Sequence, residues 1–480
     1  MNDGKKAALT AIETHSALVT QVADEIWSFA ELSLQEKRSC DLYCRVCADQ
    51  GFRVERGICG IETAFSASYG QGGPVIGLLA EYDALSGLSQ AGGAAEERPL
   101  VPGGPGHGCG HNLLGAGALA AALGVKAYLE ATGKGGTVVL YGCPGEEGGA
   151  AKAFMAREGL WRGLDAALTW HPSDCNEVST GSCNSTLQVR YTFHGKASHA
   201  SGAPERGRSA LDAVELMNIG VQFLREHMPD RARIHYAITD AGGQSPNVVQ
   251  PRAAVLYMTR SNRVGEALEL QARVDKIAQG AALMTETTFE RTFIDGTADL
   301  VPNHVLEALG HRVFARLGVP AHTREETDFA RRLWETYASH DLPGVGTQAD
   351  AAYRDRVSEL RQAANSPLND FLLPLYTGEA FVPGSTDVGD VSHQCPALQF
   401  HVVTWPNGCP GHSWQNVSCG GDSLGRKGAL HAGKLLACTA IELLEDPSIL
   451  EAAREELARR TAQAPYVCPI PPEAEPVAVG

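Results

Sequence analysis

At 480 residues the chain exceeds the roughly 250–300 residues at which a single core stops growing, so two domains are expected. Its composition is globular, 44% hydrophobic and 20% charged, and no apolar run approaches the roughly 20 residues of a membrane span. A net charge of −16 opposes a polyanion and excludes nucleic acid as the expected partner. Thirteen cysteines, with no apolar stretch behind Met1-Asn2-Asp3-Gly4-Lys5-Lys6, point to reduced thiols in a cytoplasmic protein.

Residues 7–50 carry the apolar period of one or two helices. Cys40, Cys44 and Cys47 recur there at helical spacing, so the lone C-x-x-C reads as one face of a buried helix rather than a second metal site. Val75 to Ala80 and Thr137 to Tyr141 are short apolar runs of the kind found in strands buried on both faces. Between them Ala84 to Gly106 is a Gly/Ala/Pro-loaded loop, and Leu113 to Leu129 reads as a buried helix. This alternation predicts an α/β fold, a mostly parallel-sheet α/β catalytic domain.

Near residue 185 the pattern changes. Leu187 to His194, Arg233 to Thr239, Ala253 to Arg260 and Thr287 to Ile294 read as strands, with helices over Arg208 to His227 and Glu266 to Met284. The order βαββαβ predicts an inserted ferredoxin-like α+β lid or dimerisation domain over 186–296, within a catalytic domain of residues 1–185 and 297–465. Residues 320–380 are charged and helical, without a match to either part. The proline-rich tail, 466–480, is expected to be disordered.

Three places carry chemistry. Cys109 and His111 stand two residues apart on a glycine-rich turn; Glu146 and Glu147 are adjacent in Gly145-Glu146-Glu147-Gly148-Gly149; His171 follows the apolar stretch Ala166 to Trp170. Thiolate, imidazole and carboxylate together suit zinc or manganese rather than calcium or magnesium. Taken singly, each has an ordinary explanation: a small buried residue, a core histidine, a solvated charge pair. Cys109 also fits a thiolate nucleophile with a histidine base, although such an enzyme has no need of adjacent glutamates. A metal hydrolase does need them, one to bind the ion and one to accept the proton of a water whose pKa the ion lowers to about 7.

With the inserted unit, these residues resemble the metallopeptidase and amidohydrolase family that includes aminoacylases, carboxypeptidase G and hippurate hydrolases. The HACGHD-like motif, here His107-Gly108-Cys109-Gly110-His111-Asn112, is that of its branch acting on N-acyl amino acids. The strings Glu81-Tyr82-Asp83-Ala84-Leu85, His194 to Ala200 and Ser385 to Ser392 look closest to the hydrolases of p-aminobenzoyl-glutamate within it. The resemblance implies Cys109, His111, Glu147, His171 and His412 as metal ligands and Glu146 as general base and acid. It implies that His199, often supplied by the neighbouring subunit, reaches the scissile carbonyl oxygen, and that Asn247 and Arg260 hold the substrate carboxylate. Asp83 is read as an orienter of a ligand, and Glu81 has no assigned role. Asn112 replaces an aspartate common in relatives. No aspartate remains to bridge two ions, so the site takes one ion, or two sharing the Cys109 thiolate.

The resulting expectation is a metal-dependent amidohydrolase acting on a small-molecule amide that bears a carboxylate, with p-aminobenzoyl-glutamate the leading substrate. A homodimer, or pairing with a homologous subunit, is the expected assembly. Auxin–amino acid conjugates, dipeptides, hydrolytic removal of an aromatic amine, and a non-catalytic partner subunit are the alternatives.

Overall fold

Apolar runs that pair on both edges become the centre of a seven-stranded sheet. The computed structural model describes residues 3–338, 342–344 and 349–478. Met1 and Asn2, parts of the 320–380 insertion and the last two residues of the tail lie outside those residues. The sheet contains β1 (Arg53–Arg56), β2 (Phe65–Gln71), β3 (Val75–Ala80), β4 (Gly136–Gly142), β5 (Ala166–Ser173), β6 (Glu177–Val178) and, from far along the chain, β13 (Ala397–Val403). Their order is β1-β2-β4-β3-β5-β13-β6. The four central strands, β4-β3-β5-β13, are parallel, as their continuous apolar character predicts, while β1, β2 and β6 add antiparallel flanks.

The helix His111–Thr132 lies across this sheet, packed with helices Asp3–Thr14 and Ser423–Glu445. Its small residues permit close approach: a Cβ on Gly117 would lie 2.5 Å from Trp170 Nε1. By length and composition alone this helix is apolar enough to cross a membrane. Its leucines, alanines and valine raise the mean hydropathy, but the unbroken apolar stretch Leu113 to Val125 falls short of a span, and the helix is buried inside the protein. The amino-terminal region also differs, forming three helices, Asp3–Thr14, Ser16–Phe29 and Lys37–Asp49, where one or two were expected. Ala30 breaks the second in the left-handed region. In the third, Cys40 and Cys47 are buried and Cys44 is packed beside them.

β8 (Ser185–His194), β9 (Arg233–Asp240), β10 (Arg252–Ser261) and β11 (Thr288–Thr297) form a second, antiparallel sheet in the order β11-β8-β10-β9. Helices Ala210–Leu224 and Val264–Thr285 cover one face, burying Val189, Tyr191, Val255 and Tyr257 in a separate core. The chain order is βαββαβ, the ferredoxin-like order of the predicted unit. Just before it in sequence, β7 (Ser182–Cys183) forms a short parallel pair with the distant β12 (Phe381–Val382).

The tail is the clearest departure from sequence expectation. Ile470 is 3% exposed and packs in a core cluster with Trp161, Phe154 and Val391. The Tyr466 hydroxyl donates to Asp390 at 2.7 Å, and Arg157 donates to the carbonyls of Pro471 and Ala474. Proline-rich composition hid this, because an extended segment without helical or strand period can still dock through isolated apolar side chains. Ile470→Ala is accordingly expected to cost about 2–5 kcal/mol, read as a lowered urea midpoint, while turnover stays intact. An unchanged midpoint would show the tail is not docked.

Candidate metal centre and substrate cavity

The predicted ligands come together where the parallel strands of the large sheet end. Gly110, in the left-handed region at φ 76°, turns the chain into the helix that starts at His111. β4 leads to the turn bearing Glu146 and Glu147, and β5 ends in His171-Pro172-Ser173. His412 arrives from the far end of the chain, immediately before helix Trp414–Gly420, with φ 53°. That conformation is costly for a side chain with a Cβ and is a mark of functional positions. Its side chain is 56% exposed, yet Nε2 lies 3.5 Å from Glu147 Oε1 rather than pointing away.

Two trios of donor atoms share one member. Cys109, His111 and His171 form one, Cys109, Glu147 and His412 the other, with all atoms of each trio within 4.8 Å of one another. Cys109 Sγ is 3.3 Å from His171 Nε2. The outer ring nitrogens are occupied: His111 Nδ1 faces Asp83 Oδ1 at 2.7 Å and His171 Nδ1 faces the Pro172 carbonyl at 2.7 Å. With each Nδ1 held in this way, each Nε2 faces inward, the orientation of metal-ligating histidines; without an ion, Cys109, Asp83 and Glu81 outweigh burial and hold the His111 pKa well above its usual value. Burial and the positive charge of His111 pull the His171 pKa down to about 4, so it stays an unprotonated donor.

Asp83 is the hub behind these ligands. Its second oxygen accepts from the Glu147 backbone N–H at 2.9 Å and from the Ser33 hydroxyl at 2.8 Å. Burial alone would raise its pKa, but the His111 charge and these hydrogen bonds outweigh burial and hold it at about 2. Asn112 donates to the carbonyls of Ala23 and Gly420 and ties helices together.

Sequence reasoning missed the charged group beneath the pocket. Lys152 is fully buried, with Nζ 2.8 Å from Glu81 Oε1 and 2.5 Å from Asp387 Oδ1. Glu81 in turn places Oε2 3.2 Å from His111 Nε2, and forms a further donor trio with His111 and Glu146. A lysine inside the apolar helix Ala151–Arg157 was the available signal. Another trio, Cys175, Glu177 and His401, is partly satisfied internally, His401 Nδ1 lying 2.8 Å from Glu177 Oε1.

The site calls for a cation. Burial, together with Glu81, Glu147 and Asp387, pushes the Glu146 carboxyl well above its usual range, and burial with nearby Asp83 raises Glu147. Burial and Glu147 push the Cys109 thiol up. His111 Nε2 and Glu147 Oε1 are buried without a hydrogen-bond partner. Buried polar atoms without hydrogen bonds, in a surplus of carboxylates beside a thiol and two inward imidazoles, fit a borderline divalent ion.

Over these groups lies a cavity of about 410 Å³. Its floor holds Glu146, Glu147 and His412, and its far wall is the uncovered face of the four-stranded sheet, including Gln188, Met258 and Arg260. Arg260 thus borders the site. His199 and Asn247 do not line this cavity: both are exposed, next to each other, with the Ala200 N–H donating to the Asn247 carbonyl at 2.9 Å. Within one chain, the structure brings together the five predicted ligands, Glu146, Asp83 and Arg260, but not His199 or Asn247.

Comparison with known proteins agrees with this geometry. The family model "Peptidase family M20/M25/M40" matches residues 77–416. The chain is 43% identical over 468 residues to one of the subunits of the p-aminobenzoyl-glutamate hydrolase of Escherichia coli, covering 97% of each chain. It is 26% identical to Xaa-Arg dipeptidase of Mus musculus, over 94% of this chain and 91% of that one. Among solved structures, a dinuclear metal binding peptidase of the M20 family from Bacillus subtilis has the same fold, with TM-score 0.55 at 16% identity, covering 90% of this chain and 99% of the other.

Proposed function

The chain belongs to peptidase family M20/M25/M40 and is a metal-dependent amidohydrolase, and from that premise we propose that it hydrolyses N-aroyl amino acids of the p-aminobenzoyl-glutamate type. The strongest single support is the pair of imidazoles locked by Asp83 and Pro172, with Nε2 atoms turned toward Cys109, and Glu146 at the cavity floor. Cys109, His111, Glu147, His171 and His412 would hold zinc or manganese. Two donor trios, rather than one, support a site that would hold two ions. Such ions polarise the amide carbonyl and acidify water.

The chain's own groups perform the rest. Glu146 accepts the proton of the attacking water and passes it to the leaving nitrogen. Asp83 fixes the His111 tautomer, and Arg260 grips the substrate carboxylate with its planar fork. Lys152 supplies a buried ammonium against Glu81 and Asp387 and so limits their repulsion of Glu146. The test is hydrolysis by the purified chain alone, with zinc or manganese, of N-acyl amino acids varied independently at each end. Cleavage of aroyl-glutamates supports the proposal. An inert chain that gains activity only with a homologous subunit would favour the partner-subunit alternative, which the E. coli relative, itself one subunit of a hydrolase, keeps in view.

Residues 1–185 with 297–465 are proposed as the catalytic domain and 186–296 as the lid and dimerisation domain. Exposed Ile219 and Phe223 on helix Ala210–Leu224, with Tyr236 and Ile238 on edge strand β9, support a two-fold contact there. The thirteen cysteines, all unpaired, support a cytoplasmic location. Because His199 and Asn247 stand outside their own chain's cavity, we propose that they complete the partner's. Mixing His199→Ala and Glu146→Gln proteins tests this: each heterodimer regains one intact site, so activity should return to about a quarter of wild type on random exchange. No recovery despite verified subunit exchange would exclude action in trans.

A further inference from the structure

The uncovered face of the four-stranded sheet continues past the catalytic cavity. On β9 and β10, Arg233 pairs with Arg260 and His235 with Met258. The face runs on into a second cavity of about 640 Å³, bounded opposite by the segment around β12. Arg231, Arg233, Arg260 and Arg263 line it, and among the described residues Glu379 is its one lining carboxylate, in a chain whose net charge is −16. Of the four arginines only Arg263 has a carboxylate in reach among the described residues, Asp299 at 3.6 Å. Arg233 donates to the carbonyls of Asp230 and Ala232, and Arg260 Nε rests against Met258 Sδ. Burial together with Arg260, Arg225 and Arg233 lowers the His235 pKa, which registers the positive field at this wall.

A second observation specifies more than a counter-ion. Asn184, also lining the cavity, spends its amide N–H on the Pro383 carbonyl at 2.8 Å, and its Oδ1 is buried without a partner. A free anion would leave that acceptor unsatisfied, whereas an amide N–H would satisfy it. Arg260 belongs to both cavities, so a ligand gripped there with its scissile amide at Glu146 extends its leaving side into the arginine cavity.

We propose that this cavity is a second substrate subsite that takes an acidic peptide extension, so that the enzyme accepts aroyl-amino acids whose leaving group is an acidic dipeptide or longer. This rests on the aroyl–amino acid hydrolysis proposed above. Three substrates test it: p-aminobenzoyl-Glu, p-aminobenzoyl-Glu-Glu and p-aminobenzoyl-Gln-Gln, each with the wild type and with Arg231→Gln/Arg233→Gln. For the diglutamyl substrate the double variant should raise KM about tenfold with kcat within about twofold, and the advantage over the diglutaminyl substrate should shrink with added salt. KM for the other two substrates should stay within about twofold. An unchanged KM for the diglutamyl substrate, or an equal rise for the diglutaminyl one, overturns the proposal. If no substrate is cleaved, the reaction assignment fails instead, and calorimetry with the dipeptide Glu-Glu decides the subsite. Binding to wild type that weakens about tenfold in the double variant sustains the subsite, and no binding to wild type refutes it.

Discussion

Glu146→Gln is expected to leave metal content at the wild-type level and lower kcat by a factor on the order of 10²–10⁴. The amide is nearly isosteric with the carboxylate and removes an acidic group from a cluster that also contains Glu81, Glu147 and Asp387, so folding and ion uptake should survive. What is lost is the only group on the cavity floor assigned to carry a proton from water to the leaving nitrogen. Elemental analysis and steady-state kinetics on the same preparation check both halves. Turnover near wild type would remove Glu146 from the mechanism and redirect attention to Glu81, the other carboxylate in the donor trio with His111.

Cys109→Ser tests the other essential assignment. Cys109 is the member common to both ligand trios, so exchanging a soft thiolate for a neutral hydroxyl weakens every ion that the cluster could hold. Bound metal should fall well below wild-type stoichiometry together with activity. A chelator should inactivate the wild type reversibly, with activity restored by zinc or manganese. Full metal content with activity abolished would instead mark Cys109 as a nucleophile, as would resistance to exhaustive chelation.

Much of this protein is written locally in its chain. Glycine-rich turns single out Cys109, His111, Glu146 and Glu147 as candidates, and a strand end singles out His171, because side-chain type and turn or strand-end placement are properties of a few consecutive positions. The ferredoxin-like unit was legible for the same reason: hydrophobic period within each element fixes which face is buried. Tertiary structure alone decided the rest. Lys152, Glu81 and Asp387 meet from three distant segments, and no local pattern announces an ion pair whose partners stand 71 and 235 residues away. The tail docks through Tyr466 and Ile470, whose contacts with Asp390 and the Phe154 cluster no composition reveals. His199 and Asn247 carry the expected chemistry yet stand outside their own chain's cavity, and the arginine cavity exists only because β9, β10 and residues 379–383 are folded against one another. Sequence determines which groups are available, since side-chain chemistry and backbone period are local. Packing across long chain separations decides which of them share a site, because only a fixed distance and a low-dielectric surrounding turn neighbouring charges into a functional centre.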